Sequence, residues 1–111
     1  MDIKKLESAI EKIFADLTPP NYRLGSLEYN WIFDTSRHHY QLLLEGWDAN
    51  TRILEILVQI DVKNNLVWLQ EDNTDYGVAE ALVNAGIPKE SIVLGFHAPY
   101  KRPYTGFATG E

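Results

Sequence analysis

The segment His97-Ala98-Pro99-Tyr100-Lys101-Arg102-Pro103-Tyr104 is the one stretch of this 111-residue chain in which cations and aromatic rings interleave. Such a mixture can stack on bases and pair with phosphates, or it can anchor a protein interface, where tyrosine and arginine are favoured. A third reading is structural: the rings pack on a sheet, and Lys101 and Arg102 pair with carboxylates that the chain holds in surplus. The three readings stand side by side at the level of sequence. The binding candidates are therefore His97, Tyr100, Lys101, Arg102 and Tyr104, joined by Trp47, which follows Gly46 just before a turn and is expected to be half exposed. Tyr100, Arg102 and Tyr104 are expected to lead, because they bury much area for little lost entropy. On that view Arg102→Ala and Tyr100→Ala leave thermal stability nearly intact.

Catalytic and metal signatures are weaker. Asp61-Val62-Lys63 has the acid-x-lysine form that ends a strand in one large class of metal-dependent nucleases, which also need an acidic residue upstream. Asp48 stands about ten strand residues from Asp61, roughly 30 Å, and is too far. Asp34 lies at the correct end, but a register read from the turns directs it through the other face. Asp61 reads more simply as a strand-end residue entering the Lys63-Asn64-Asn65 turn. The histidines are His38, His39 and His97. His38 and His39, adjacent in a strand, point to opposite faces and cannot share a metal, while His97 with Asp72 or Asp75 is outweighed by a structural histidine. Cysteine is absent, which removes disulfides, thiolate ligands and cysteine nucleophiles. The glycines are isolated, and Ser8, Ser26, Ser36 and Ser91 have no supporting pattern for a nucleophile elbow. The expectation is a non-enzyme with no catalytic residues, no metal and no cofactor. Trp31 and Trp68 read as core rings.

Charge limits the partners. Ten basic against sixteen acidic residues give a net charge of −6, which repels a polyanion at long range. Autonomous, tight binding of DNA is therefore not expected. A hydrophobic share of 45% with 23% charged residues suits one globular domain spanning residues 1–111. The start Met1-Asp2-Ile3-Lys4-Lys5-Leu6-Glu7 lacks the apolar run of a secretory signal, and no stretch is long enough to span a bilayer. A cytoplasmic protein away from membranes is expected.

These residues must be positioned by a small set of elements. Ile3, Leu6, Ile10, Ile13, Phe14 and Leu17 recur at offsets of three and four, predicting an amphipathic helix ended by Thr18-Pro19-Pro20 and followed by a loop from Asn21 to Ser26. From Leu27 to Glu71 the period changes to two. Four strands joined by the short turns Asp34-Thr35-Ser36-Arg37, Asp48-Ala49-Asn50-Thr51 and Asn64-Asn65 predict an antiparallel meander. A provisional register sets Tyr29 beside Leu42, Leu42 beside Leu57, and Asp61 beside Trp68. It leaves the apolar faces of the first and third strands on opposite sides. Either a bulge shifts one strand, or both faces are covered, with helices on one and another chain, as in a homo-oligomer, on the other. A second helix follows, capped by Thr74 or Asn73, favoured by Asp75 near its start and closed by Gly86. Ile92-Val93-Leu94 is a short apolar segment, and the aromatic and basic C-terminal tail reads as loop. The fold class is α+β.

The run from Ile60-Asp61-Val62-Lys63 through Trp68-Leu69-Gln70-Glu71-Asp72 to Gly86-Ile87-Pro88-Lys89-Glu90-Ser91-Ile92-Val93-Leu94-Gly95-Phe96-His97 resembles the XisI family, the fdxN element excision controlling factors. Further matching stretches are Phe33-Asp34-Thr35, His39-Tyr40-Gln41-Leu42-Leu43, Gly46-Trp47 and Arg102-Pro103-Tyr104-Thr105-Gly106-Phe107-Ala108. The N-terminal helix and its loop match loosely. Tyr100-Lys101-Arg102-Pro103 departs from the pattern in an extra proline and more cations. The resemblance implies an accessory factor of programmed, site-specific DNA excision that works with the companion factor XisH and a separate recombinase. A metal-dependent nuclease or a direct DNA binder is the competing expectation.

Overall fold

The computed structural model describes residues 1–19 and 26–111; residues 21–25 of the expected loop lie outside the described residues. Helix α1 (Ile3–Leu17) begins where the Asp2 side chain accepts from the Lys5 backbone N–H at 3.1 Å. It buries Leu6, Ala9, Ile10, Ile13 and Phe14, the stripe that the spacing predicts.

Five strands follow in the order β1 (Glu28–Asp34), β2 (His39–Asp48), β3 (Thr51–Lys63), β4 (Leu66–Asp72) and β5 (Ile92–Leu94), each hydrogen-bonded to the next. The first four form the expected antiparallel meander. The fifth is a correction. Ile92–Leu94 pairs in parallel with β4 through Val67↔Ile92, Trp68↔Val93 and Leu69↔Leu94, so the sheet is mixed. A parallel neighbour needs a long crossover, and helix α2 (Val78–Asn84) supplies it. The turns behave as their residues suggest: His38, Ala49, Asn64 and Asn65 all hold positive φ, and the Asn64-Asn65 pair meets the demand of a two-residue hairpin for two such positions.

The register departs from the provisional one. Asp61 does face Trp68, but Tyr29 faces Leu44, and Leu42 faces Val58. A bulge between Leu42 and Leu43 leaves Leu57 as the extra residue of β3, and a second lies between Gln59 and Ile60. Of the two ways to reconcile the apolar faces, the bulge is the one present. It splits β3. Val58, Ile60 and Val62 share the inner face with Tyr40 and Leu42, whereas Ile56 and Leu54, paired with Leu43 and Glu45, fall on the outer face.

The inner face is sealed by α1 and α2. Leu6, Ile10, Phe14, Val78 and Leu82 pack on Tyr40, Leu42, Val58, Ile60, Leu69 and Ile92 in one cluster. Tyr40 is fully buried, and its hydroxyl donates to the Glu7 carboxylate at 2.7 Å. Burial and that carboxylate together push the phenol well above its ordinary pKa. The start of α2 is a further correction: Gly77, at φ 82°, takes the N-cap position in place of Thr74 or Asn73, with no side-chain cap bond, and Asp72 from the end of β4 accepts from the Val78 N–H at 3.2 Å while its other oxygen holds the Thr74 amide and hydroxyl. Gly86 closes the helix at φ 99°, with Ile87 N–H returning to the Leu82 carbonyl at 3.0 Å, as expected.

Candidate functional site

The outer face of the sheet carries a row of polar side chains. His39, Asp61 and Trp68 are cross-strand neighbours on β2, β3 and β4. The Asp61 carboxylate gathers His39 Nδ1 at 2.8 Å, Gln59 Nε2 at 2.6 Å and Gln70 Nε2 at 3.2 Å, and Gln41 Nε2 donates to Gln59. With three donors around it, Asp61 is tied into a ladder across three strands, β2, β3 and β4. Asp34, expected on the other face, pairs with His39 and therefore shares the face of Asp61. Its carboxylate, however, accepts from the Ser36 and Arg37 amides at 3.1 and 3.0 Å and from the Arg37 guanidinium at 3.2 Å. Those bonds, the Arg37 amide first, hold it below the usual carboxylate range and bind it to its own turn. Lys63 lies 4.3 Å over the Trp68 ring. His38 stands in the turn, its Nδ1 at 3.2 Å from the Tyr40 hydroxyl, on the side opposite His39. Among the described residues no group of three His, Asp or Glu converges in a way that could hold a metal ion.

Beyond β5 the tail folds back over this face. Gly95 N–H bonds the Leu69 carbonyl at 2.9 Å, Pro99–Tyr104 forms a 3₁₀ turn, and Ala108 N–H bonds the Ile92 carbonyl at 2.8 Å. Arg102 points inward. Its Nε donates to the His97 carbonyl at 3.0 Å, its Nη2 reaches the Gly95 carbonyl at 3.5 Å, and its guanidinium lies 5.2 Å over the Trp68 ring. Gly110 completes the cover: a Cβ there would stand 2.5 Å from Trp68 Cη2. Trp68 is left only 8% exposed.

The candidates thus separate into three groups. Arg102 fastens the tail, and His97, half-buried, packs its ring against Phe96 at 4.7 Å. Tyr100 and Tyr104 are 72% and 89% exposed, with Lys101 also exposed and its ammonium 5.7 Å from the Tyr100 ring. Trp47 is 49% exposed and stands apart, eight strand residues along β2 from His39, about 26 Å. Around Trp47 the outer face carries Leu54, 64% exposed, and Ile56, which a strict period of two would set on one face with Val58 and Ile60, with Ile32 of β1 exposed beside them. The signal available in the sequence was Ile56-Leu57-Val58, three apolar residues in a row where a strict alternation allows one face only two. Two shallow clefts of about 280 and 270 Å³ lie elsewhere, one lined by Ile13, Tyr76 and Ala81, the other by Lys5, Gly86 and Pro88. Both fall at or below the small end of ligand pockets. No helix of the described residues is long and apolar enough to cross a membrane.

Comparison with known proteins agrees with this architecture. The family model described as XisI protein matches residues 1–109. An XisI-like protein from Anabaena variabilis ATCC 29413 is 36% identical, superimposes with a TM-score of 0.88, and aligns over 96% of this chain and 98% of its own. The fdxN element excision controlling factor XisI from the same organism is 30% identical, with a TM-score of 0.82 over 96% of this chain and 97% of its own. Curated proteins give no match.

Proposed function

The chain belongs to the XisI family, and from that premise we propose that it is an accessory factor in the control of programmed DNA excision, acting in the cytoplasm through contact with an XisH-like protein. The observation that carries the contact is the pairing of exposed Tyr100 and Tyr104 with an inward Arg102. A loop fastened at its base presents two large rings without having to order itself on binding, which spares entropy at the moment of association. Arg102 is therefore a positioning residue; Tyr100 and Tyr104, with Lys101 beside them, are the contact residues. The protein is non-enzymatic on this reading and meets DNA only through its partners. Its net charge of −6 supports the second half of that statement. Co-expression with an XisH-like protein tests it: wild type co-purifies, and Tyr100→Ala with Tyr104→Ala does not, while unfolding midpoints coincide.

One observation favours a second reading. Asp34, Asp61 and Lys63 occupy one face, as a metal-dependent nuclease would need. Cleavage of DNA with magnesium or manganese that is lost in Asp61→Asn, or sub-micromolar, steeply salt-dependent binding of duplex DNA by the isolated chain, would replace the accessory-factor reading.

A further inference from the structure

The outer face is covered only in part. Over Trp68 the tail supplies a lid, but from Ile32 and Leu43 to Trp47 on β2 and Leu54 and Ile56 on β3 nothing among the described residues does so. The register makes these residues contiguous: Leu43 faces Ile56, Glu45 faces Leu54, Trp47 faces Arg52, and Ile32 lies beside Gln41 on the next strand. An antiparallel sheet with one solvated face normally shows polar residues there. An exposed apolar patch of this kind, with Gln41, Glu45 and Arg52 among its members, marks an interaction surface.

Charge narrows the occupant. By register Glu28 stands directly opposite Glu45 on that face, and Glu71 opposite Gln59. Like charges directly opposite destabilise a strand pair. Arg52 relieves Glu45 through a 3.2 Å contact, and it is the one lysine or arginine of the described residues on this open half. A second copy packed face to face would bring two sets of these carboxylates into one interface, in a chain already carrying −6. A polyanion is repelled for the same reason. A sheet face is ordinarily buried by a helix or another sheet, and a helix can offer an apolar stripe flanked by cations.

We propose that the open half of the outer face docks a basic amphipathic helix of a partner protein, its apolar stripe on Ile32, Leu43, Leu54, Ile56 and Trp47 and its cations on Glu28 and Glu71. The surface is distinct from the tail tyrosines and independent of the excision reading, since it follows from the sheet alone.

The probe is a synthetic leucine–lysine helical peptide, with a leucine–glutamate peptide of the same pattern as its opposite, titrated against the full chain at physiological salt and read by calorimetry. The lysine peptide binds and the glutamate peptide does not. Leu54→Gln with Ile56→Gln weakens binding by about tenfold or more, as loss of central anchors does. Glu28→Lys with Glu71→Lys weakens it and flattens its salt dependence. Tyr100→Ala leaves it unchanged. Circular dichroism and urea midpoints establish that the variants fold; should the paired glutamine variant fail to do so, the single Leu54→Gln at the most exposed position decides. Equal binding by wild type and the folded glutamine variant overturns the proposal, as does equal binding of both peptides. A wild-type dimer in sedimentation that Leu54→Gln dissociates overturns it too, and assigns the face to a second copy.

Discussion

Trp68 and Trp47 lie on the same face of one sheet, each with an arginine against its ring, at 5.2 Å for Arg102 and 5.8 Å for Arg52, yet one is 8% exposed and the other 49%. Each ring has an arginine partner, and Trp68 has Lys63 as well; the larger difference is the chain segment that returns over the first and, among the described residues, not over the second. Trp68 sits beneath the tail, which is anchored to β4 through Leu69 and to β5 through Ile92. Trp47 sits on a β2–β3 arm that extends past Asp72, the end of β4, and has no such cover among the described residues. The pair shows how one sheet face can hold a structural half and a surface half.

The largest expected contrast is between the two rings themselves. Trp68→Ala should lose about 3–5 kcal/mol of unfolding free energy in urea, while Trp47→Ala should stay within about 0.5 kcal/mol of wild type. Equal losses would mean that the arm, too, is structurally covered. Next comes the lid. Gly110→Ala drives a methyl into Trp68 at φ 88° and should cost about 1–3 kcal/mol, with a shift in tryptophan emission. Gly106→Ala, at φ 83° with open space around it, isolates the backbone strain and should leave the emission unchanged.

The arginines should divide in the same way. Arg102→Ala removes two carbonyl contacts and the ring contact, for a loss of about 1–2 kcal/mol; this revises the expectation that its removal leaves stability intact. Arg52→Ala, on the exposed arm, should cost about 0.5 kcal/mol or less. A pH-dependent effect is expected on the inner face. Tyr40→Phe gives up the Glu7 bond and should cost about 1 kcal/mol near neutral pH. Because the folded phenol is raised above the unfolded value of about 10, its contribution is fully present below that pH and is lost as pH rises through the folded value. The gap between wild type and Tyr40→Phe in urea midpoints should therefore stay constant up to about pH 9 and narrow from about pH 10 upward.

Most of the frame was legible because it rests on local periodicity. The stripe of α1, the Asn64-Asn65 hairpin and the Gly86 closure each follow from a few adjacent residues. What escaped depends on contacts between distant segments. The parallel pairing of Ile92–Leu94 requires α2 to carry the chain back, and a three-residue apolar run does not announce its neighbour. The bulge at Leu42 and Leu43 inverts the face of Leu54 and Ile56, and period-two reading has no means to count an extra residue. Tail composition singled out this segment as a candidate, but the arrangement within it, Arg102 inward and Tyr100 and Tyr104 outward, exists only once Trp68 is in place beneath.

The central claim is that the fastened tail acts as a contact surface for another protein. The most direct measurement is co-purification of the full chain with an XisH-like protein, comparing wild type with Tyr100→Ala, Tyr104→Ala and the pair together, each checked for an unchanged thermal midpoint. Progressive loss of the partner, nearly complete in the double variant while Trp68 emission stays at its wild-type wavelength, is the predicted result. Retention of the partner at wild-type stoichiometry by the folded double variant would contradict it and leave the tail as a lid over Trp68 alone.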